Sequence, residues 1–164
     1  MRPTVDRLRE LVCYDESSPS GLSWKISRGR QSSGSAAGQP RNQDGRIYWY
    51  VRVDGSLILV HRVIWALATG NWPKDQIDHK DGYQNLVSNL REATQTQNNA
   101  NQRLRKNTSG LKGVHWNTKR KRWIAKINKN GKTVQLGQFS SKDDAHEAYW
   151  IAAQEHFGQF ARRA

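Results

Sequence analysis

The residue types with the clearest chemistry stand in one stretch, Ile77-Asp78-His79-Lys80-Asp81-Gly82, which places a carboxylate beside an imidazole. A carboxamide, Asn98, follows 19 residues after His79 (98 − 79). A neutral imidazole is the usual general base near neutral pH. Asp and Asn side chains supply the oxygen ligands that a hard cation such as Mg²⁺ prefers. Because phosphodiester hydrolysis needs an activated water and positive charge near the leaving oxygen, the stretch predicts a metal-dependent phosphodiesterase site. An Asp-His pair alone also fits a hydrogen-bonded turn.

The elements around this stretch must bring its side chains together. Neighbours on a strand point to opposite sides, so Asp78 and His79 can serve one site only at a bent strand end or a bulge. Asn98 falls in a polar segment, 92–103, which is predicted to be helical and to face the strand. The run 61–69 has a helical pattern, Gly70 is its C-cap candidate, and it leads directly to the site.

The N-terminal part is predicted to be rich in β structure. Residues 4–13 carry an amphipathic helical stripe, and 22–26 alternate as a strand. The run 46–53, the Asp54-Gly55 turn and the returning strand 57–60 indicate a hairpin whose aromatic residues belong to the core. The Gly-, Ser- and Arg-rich run 28–40 is interpreted as a loop, either touching phosphate or simply solvated.

Charge and composition indicate the partner. The chain has 164 residues and a formal net charge of +13, with a pI of about 10.3. Residues 100–164 hold 14 Lys/Arg and 4 Asp/Glu, which gives +10 of that charge. A polyanion, first of all nucleic acid, is therefore expected. The lone Cys13 excludes an intrachain disulfide and a Cys-based zinc site, and there is no long apolar run. We expect a cytoplasmic protein in a bacterial or phage-infected cell, without membrane association.

Several motifs in order strengthen the nuclease interpretation. Residues 60–99 contain Val-His-Arg-Val-Ile-Trp, Gly-Asn-Trp-Pro, Ile-Asp-His-Lys-Asp-Gly, Ser-Asn-Leu-Arg-Glu-Ala-Thr and Gln-Thr-Gln-Asn-Asn. This resembles the HNH endonucleases with a ββα-metal fold, of the phage and homing type. The resemblance implies that His79 is the general base and that Asp78 and Asn98 bind one divalent metal, preferably Mg²⁺, with Mn²⁺ as the alternative. The loop before Asn89 is about two residues shorter than is usual in this branch, which leaves Asn99 open as the ligand instead of Asn98.

The same resemblance implies supporting roles. Asn89 would tie the loop together by backbone hydrogen bonds, and His61 would be structural or would support the site from behind. Arg62 and Arg91 could meet phosphate, although solvated or fold-stabilising roles fit equally well. In the linker that follows the site, Arg103, Arg105 and Lys106 are predicted to lie near the DNA backbone.

The last third of the chain carries a second pattern. Strands are predicted at 112–116, 122–127 and 133–136, with Val134 and Leu136 inward, an Asn130-Gly131 turn and a helix capped by Ser140 or Ser141 that ends near Gly158. The motifs Lys-Gly-Val-x-Trp, Trp-x-Ala-x-Ile, Leu-Gly-x-Phe and Ala-x-x-Ala-Tyr resemble the APETALA-type (ethylene-response-factor) DNA-binding domain over 109–157. In that family the sheet lies in the major groove. The predicted DNA contacts are Lys112, His115, Asn117, Lys119, Arg120, Lys121, Arg122, Lys126, Asn128, Thr133 and Gln135.

These observations predict an α+β protein. A small β-rich region, 1–58, precedes an HNH ββα-metal core and linker, 59–106. A three-stranded antiparallel sheet packed on one helix follows at 107–164. The predicted function is a site-directed endonuclease that nicks double-stranded DNA as a monomer or weak dimer. The alternative is a non-catalytic, sequence-specific DNA-binding regulator on a nuclease-derived scaffold.

Overall fold

The computed structural model describes residues 2–43, 45–102, 104 and 107–163. Its chain divides into two compact units, Met1–Glu92 and Ala93–Ala164. Both mix helices with small sheets, which agrees with the predicted α+β class. Within the described residues, no helix combines the length and the apolar character needed to cross a membrane.

The first unit is built from short elements around one core. In chain order they are α1 (Val5–Leu11), β1 (Val12–Tyr14), β2 (Leu22–Trp24), β3 (Gln39–Gln43), β4 (Arg46–Val53), β5 (Ser56–Leu59), α2 (Val60–Thr69), β6 (Gln76–His79), a 3₁₀ turn (Val87–Asn89) and β7 (Leu90–Ala93). Strand β1 pairs with β2, β4 lies between β3 and β5, and β6 pairs with β7.

Helix α2 forms the centre of this unit. Its apolar face, including Val63 and Ile64, is fully buried against α1, β1 and the β4–β5 hairpin. Gly70 ends the helix with φ 77°, and its N–H bonds the carbonyl of Ala66, which confirms the predicted C-cap. The core runs continuously from Leu8 to Leu90. The β-rich N-terminal region therefore shares one core with the segment that carries Asp78 and His79.

The predicted hairpin is confirmed, with shifted ends. Asp54 and Gly55 both adopt positive φ, 45° and 80°, as a two-residue hairpin turn requires. The returning strand ends at Leu59, because Val60 already belongs to α2. Both halves of the hairpin contribute buried or partly buried side chains to the core.

Two elements of the first unit differ from the sequence-based expectation. Val12–Tyr14 forms a strand, so the predicted helix ends earlier; β-branched Val12 is paired opposite Trp24. The run 28–40 was predicted to be a loop, but its end enters β3, where Pro40 lies opposite Trp49. Because β3 is an edge strand, proline's missing N–H is tolerated there.

The second unit holds a short helix followed by a sheet packed on a helix. Its elements are α3 (Gln95–Asn101), β8 (Val114–Asn117), β9 (Arg122–Lys129), β10 (Lys132–Phe139), α4 (Lys142–Phe157) and a 3₁₀ turn (Gly158–Phe160). The antiparallel order β10-β9-β8 and the turn with positive φ at Asn130 and Gly131 confirm the prediction for this region.

Small side chains allow α4 to approach the sheet. Ala145, Ala152 and Ala153 are buried on the face that packs on β9 and β10. Strand β10 departs from simple alternation, because a bulge lies between Gln135 and Gly137. Leu136 packs on the core, whereas Val134, predicted to face inward, is 40% exposed.

Gly113 is required where the backbone passes Tyr149. Its φ is +73°, and a Cβ there would overlap the Tyr149 ring. Gly131 has a similar φ of +80° but open space around it. We expect Gly131→Ala to cost about 1–2 kcal/mol for the left-handed backbone, and Gly113→Ala roughly 1–3 kcal/mol more for the overlap. Urea unfolding of both variants measures the difference, and equal losses would contradict the close packing of Gly113 on Tyr149.

Candidate active site

Strand β6 carries the two adjacent side chains that the sequence singles out. Asp78 is 6% exposed and His79 is partly buried. Their side chains meet different partners, as expected for neighbours that leave a strand on opposite sides. The surroundings of each are therefore built by different parts of the first unit.

Arg91 holds Asp78. Its Nε donates to Asp78 Oδ2 at 2.9 Å, and its second contact, from Nη2 to the same oxygen, is 2.8 Å. The two side chains are 11% and 6% exposed, so this is a buried ion pair between neighbouring strands β7 and β6. Removing one partner of such a pair leaves an uncompensated buried charge. Of the roles considered for Arg91, the structure places it in the fold-stabilising one.

His79 is hydrogen-bonded to Asn85, in the loop that follows. Its Nε2 lies 3.0 Å from Asn85 Oδ1, and Asn85 Nδ2 donates to the carbonyl of Ser20 at 2.9 Å. The sequence reasoning assigned no role to Asn85 or Ser20. The only available signal was an amide residue six positions after a candidate histidine base (85 − 79), which without the fold does not identify a contact.

Aromatic rings form the rest of the surroundings of His79. The His61 ring lies edge-on at 5.2 Å between centroids, and the Tyr83 ring at 6.4 Å. Tyr48 completes the cluster against His61 and Tyr83, and the guanidinium of Arg46 lies over the Tyr83 ring. Tyr48, Tyr83 and Arg46 were not predicted as site residues, since aromatic residues on a strand or loop fit a core role equally well.

Burial favours the neutral form of both histidines. It lowers the pKa of His61 to about 3, and electrostatic repulsion from His79 and Arg62 acts in the same direction. Burial also lowers the pKa of His79, opposed by its hydrogen bond with Asn85 and by the charge of Asp78. A neutral imidazole is the form that can accept a proton.

Asn89 stabilises the loop between β6 and β7 by hydrogen bonds. Its carboxamide accepts from the N–H of Asp81 at 2.9 Å and donates to the carbonyls of Asp81 and Gln84. The Lys80 ammonium donates to the carbonyl of Ser88, and the Lys80 N–H donates to the carbonyl of Asn89. These bonds fix the path of the chain that carries Asn85.

Arg62 is engaged with backbone. Its guanidinium donates to the carbonyls of Asp75 at 2.9 Å and Pro73 at 3.3 Å. Arg62 thereby joins α2 to the segment entering β6. These bonds agree with the fold-stabilising alternative for Arg62, and the phosphate contact stays a prediction.

Asn98 lies on α3, in the second unit. Thr94 caps this helix by accepting from the N–H of Gln97, whose side chain returns to the N–H of Thr94. Asn99, the alternative ligand, is exposed, and its Oδ1 accepts from Gln95 and Gln102. The choice of Asn98 over Asn99 as ligand, and the union of Asn98 with Asp78 and His79, stay predictions.

The donor chemistry fits a hard divalent cation. Among residues 2–43, 45–102, 104 and 107–163, no three His, Cys, Asp or Glu side chains form a group that could hold an ion. A site of one carboxylate and one carboxamide leaves most coordination positions to water and phosphate oxygens, which is how Mg²⁺ is commonly held. Asp78 and Asn98 are ligands of that type.

The predicted DNA contacts of the second unit fall into three groups. The first group is the exposed turn Thr118–Lys121 and Arg122, which follows it. The second lies on the sheet face opposite the core and contains Lys126, Thr133 and Gln135. The side-chain oxygens of Asn117 and Asn128 accept from Arg120 and Gly131 N–H groups and brace the two turns. Arg103, Arg105 and Lys106 lie outside the described residues.

Lys112 departs from its predicted outward position on the first strand. It precedes β8, and its ammonium donates to the carbonyls of Ala100 and Gln102, at the end of α3. Burial lowers the pKa of Lys112 to about 8. The prediction was wrong because alternation was extended beyond the strand's first residue, Val114.

The buried neutral His61 predicts a pH-dependent stability. Its folded pKa of about 3 lies below the unfolded value of 6.5, so the unfolded chain binds an extra proton between these values. The free energy of unfolding should fall as pH drops below about 6.5, by up to about 1.4 kcal/mol per pH unit. In His61→Phe, the free energy of unfolding measured with urea should depend less steeply on pH. His156→Phe, a partly exposed position, is the control; an unchanged slope in His61→Phe would contradict the neutral burial of His61.

Comparison with known proteins gives a family match over the segment that carries Asp78 and His79. The family model described as HNH endonuclease matches residues 59–100, which contain α2, β6, β7 and most of α3. Protein 3.8 of Escherichia phage T7 is 38% identical over 108 residues, which are 62% of this chain and 87% of that protein.

A second relative carries the family's name. The uncharacterized HNH endonuclease L560 of Acanthamoeba polyphaga mimivirus is 32% identical over 121 residues, or 71% of this chain and 63% of that protein. No solved structure matches the chain significantly. Residues 59–100 therefore form a domain of the HNH endonuclease family, and the chain around it is similar to these two viral proteins.

Proposed function

We propose that this protein is a site-directed DNA endonuclease that hydrolyses phosphodiester bonds with one divalent metal ion and His79 as general base. The observation that carries the proposal is the partly buried imidazole of His79, hydrogen-bonded to Asn85 and flanked by the rings of His61 and Tyr83, on the strand that also carries Asp78. A base of this kind accepts the proton of the attacking water. The surrounding rings exclude bulk water on one side and orient the imidazole.

Asp78 and Asn98 would hold the metal, preferably Mg²⁺, with Mn²⁺ as the alternative. When bound, the ion supplies positive charge for the phosphate and the leaving oxygen. Arg91 holds Asp78 in place by its two contacts with Oδ2. One such site cuts one strand, so a monomer nicks, and a double-strand break requires two copies or two events.

The second unit would position the enzyme on double-stranded DNA. Its sheet presents a face with polar and basic side chains on alternate residues, while α4 covers the other face. This arrangement supports the proposed likeness to the APETALA-type domain. Contacts with phosphate hold the protein on the duplex, and contacts with base edges select the site. The contacts proposed for this face are His115, Lys126, Thr133 and Gln135, with the turn 118–121 and Arg122 against phosphates.

One observation favours a second candidate function. The buried ion pair of Asp78 with Arg91 also suits a carboxylate with a purely structural role. In that case the protein would be a non-catalytic DNA-binding regulator on a nuclease scaffold. A nicking assay with and without a chelator distinguishes the two, because the regulator would bind DNA in both conditions and cut it in neither.

Loss of His79 should abolish cutting without abolishing binding. Because the general base acts on the water and not on DNA affinity, His79→Ala should lose roughly 100-fold or more of the nicking rate. Supercoiled plasmid with added Mg²⁺ is the substrate, and gel shift measures binding. His156→Ala, on α4, is the matched control and should cut at the wild-type rate. Undiminished nicking by His79→Ala would overturn the assignment.

Lys126 should contribute one phosphate contact. In Lys126→Ala, the slope of log affinity against log salt should fall by about 0.9. Fluorescence anisotropy with labelled duplex over a salt series measures the slope. Lys142→Ala, at the start of α4 and away from the sheet face, should leave it unchanged. Equal slopes for Lys126→Ala and wild type would exclude Lys126 from the DNA interface.

A further inference from the structure

Asn85 stands between the candidate base and the N-terminal region of the same unit. Its Oδ1 lies 3.0 Å from His79 Nε2, and its Nδ2 lies 2.9 Å from the carbonyl oxygen of Ser20. Neither the family assignment nor the proposed mechanism gives this residue a role. The side chain is partly buried, so water competes weakly for these two bonds.

The two bonds determine each other's direction. A backbone carbonyl only accepts, so the Asn85 atom that faces Ser20 must be the NH₂ group. The amide oxygen therefore faces His79, and His79 Nε2 must carry the hydrogen. In a neutral imidazole this places the lone pair on Nδ1. The Ser20 carbonyl thus determines, through Asn85, which nitrogen of His79 can accept a proton.

The segment behind Asn85 is rigid. Ser20 is fully buried, and its hydroxyl bonds the carbonyls of Leu22 and Ala37. Gly21 has φ +82°, and a Cβ there would lie 2.8 Å from both the Asn85 carbonyl oxygen and Ile64 Cδ1. Only glycine allows this segment to approach the Asn85 loop so closely. The position of the Ser20 carbonyl is therefore fixed by the core and not by the loop.

We propose that Asn85 is a positioning residue for DNA cleavage: anchored to the Ser20 carbonyl, it accepts the Nε2–H of His79 and keeps Nδ1 as the nitrogen that takes the proton from water. The consequence for the reaction rests on the proposed nuclease function. The role of Asn85 in the tautomer of His79 does not. The two can therefore be tested separately on the same variants.

The experiment compares Asn85→Ala, Asn85→Asp and Gln84→Ala in the full-length protein. Long-range proton–nitrogen correlation spectra of histidine-labelled protein report the tautomer, with the His79 signal identified by its loss in His79→Ala. Steady-state nicking gives kcat and KM, and thermal unfolding checks the fold. Gln84→Ala alters an exposed side chain of the same loop and is the matched control.

We expect wild type and Gln84→Ala to show the Nε2–H tautomer, and Asn85→Ala to show a mixture with kcat lowered roughly 10–100-fold at unchanged KM. Asn85→Asp keeps an acceptor for Nε2–H, so it should retain the tautomer and lose less rate, even if Asn85→Ala does not fold.

A wild-type tautomer or a wild-type kcat in folded Asn85→Ala would overturn the proposal, as would loss of the tautomer in Asn85→Asp. If no variant and no wild type nicks DNA while the tautomer still follows Asn85, the proposed function fails and the positioning role stands.

Discussion

The end of strand β6 is the constraint on which the site depends. Asp78 and His79 are adjacent there, and His79 is the last residue of the strand, so each side chain needs its own set of neighbours. The protein provides two. Arg91 on β7 holds Asp78 by a buried ion pair, and Asn85 with the rings of His61 and Tyr83 surrounds His79. The carboxylate is thus held by an ion pair and the imidazole by a hydrogen bond and aromatic contacts.

The N-terminal region belongs to this arrangement. The core extends without interruption from Leu8 through α2 to Leu90. The carbonyl of Ser20 anchors Asn85, and the hydroxyl of Tyr14 accepts from the N–H of Val87 at 3.2 Å. Two bonds from the first quarter of the chain thus fix the loop that follows His79. Substitutions in that region should therefore alter the site by moving the loop, without changing a contact with DNA.

The sequence predicted what depends on local rules. Gly70 at the end of α2, the Asp54-Gly55 and Asn130-Gly131 turns and the alanine face of α4 each follow from the conformational preferences of the residues present. The bond between Asn85 and Ser20 joins residues 65 positions apart and could not be predicted from spacing. Lys112 shows the opposite failure, since alternation extended beyond the strand predicted an outward side chain, whereas its ammonium donates to carbonyls at the end of α3. The ion pair of Arg91 with Asp78 was likewise decided by strand pairing, which no local pattern specifies.

The uneven charge of the chain agrees with the proposed separation of catalysis from DNA binding. Residues 100–164 hold 14 basic and 4 acidic residues, whereas the first 99 residues hold 13 and 10. A long-range attraction to DNA therefore resides mainly in the C-terminal part, and the site itself relies on short-range bonds. Chemistry and affinity can then be altered separately by mutation.

A crystal structure with Mn²⁺ and nicked duplex DNA would locate the metal through the anomalous signal of the ion. We expect one peak per chain, bound by oxygen atoms of Asp78 and Asn98, with His79 on the side of the attacking water. A peak bound by other residues, or no peak while DNA is bound and Asp78 contacts only Arg91, would contradict it.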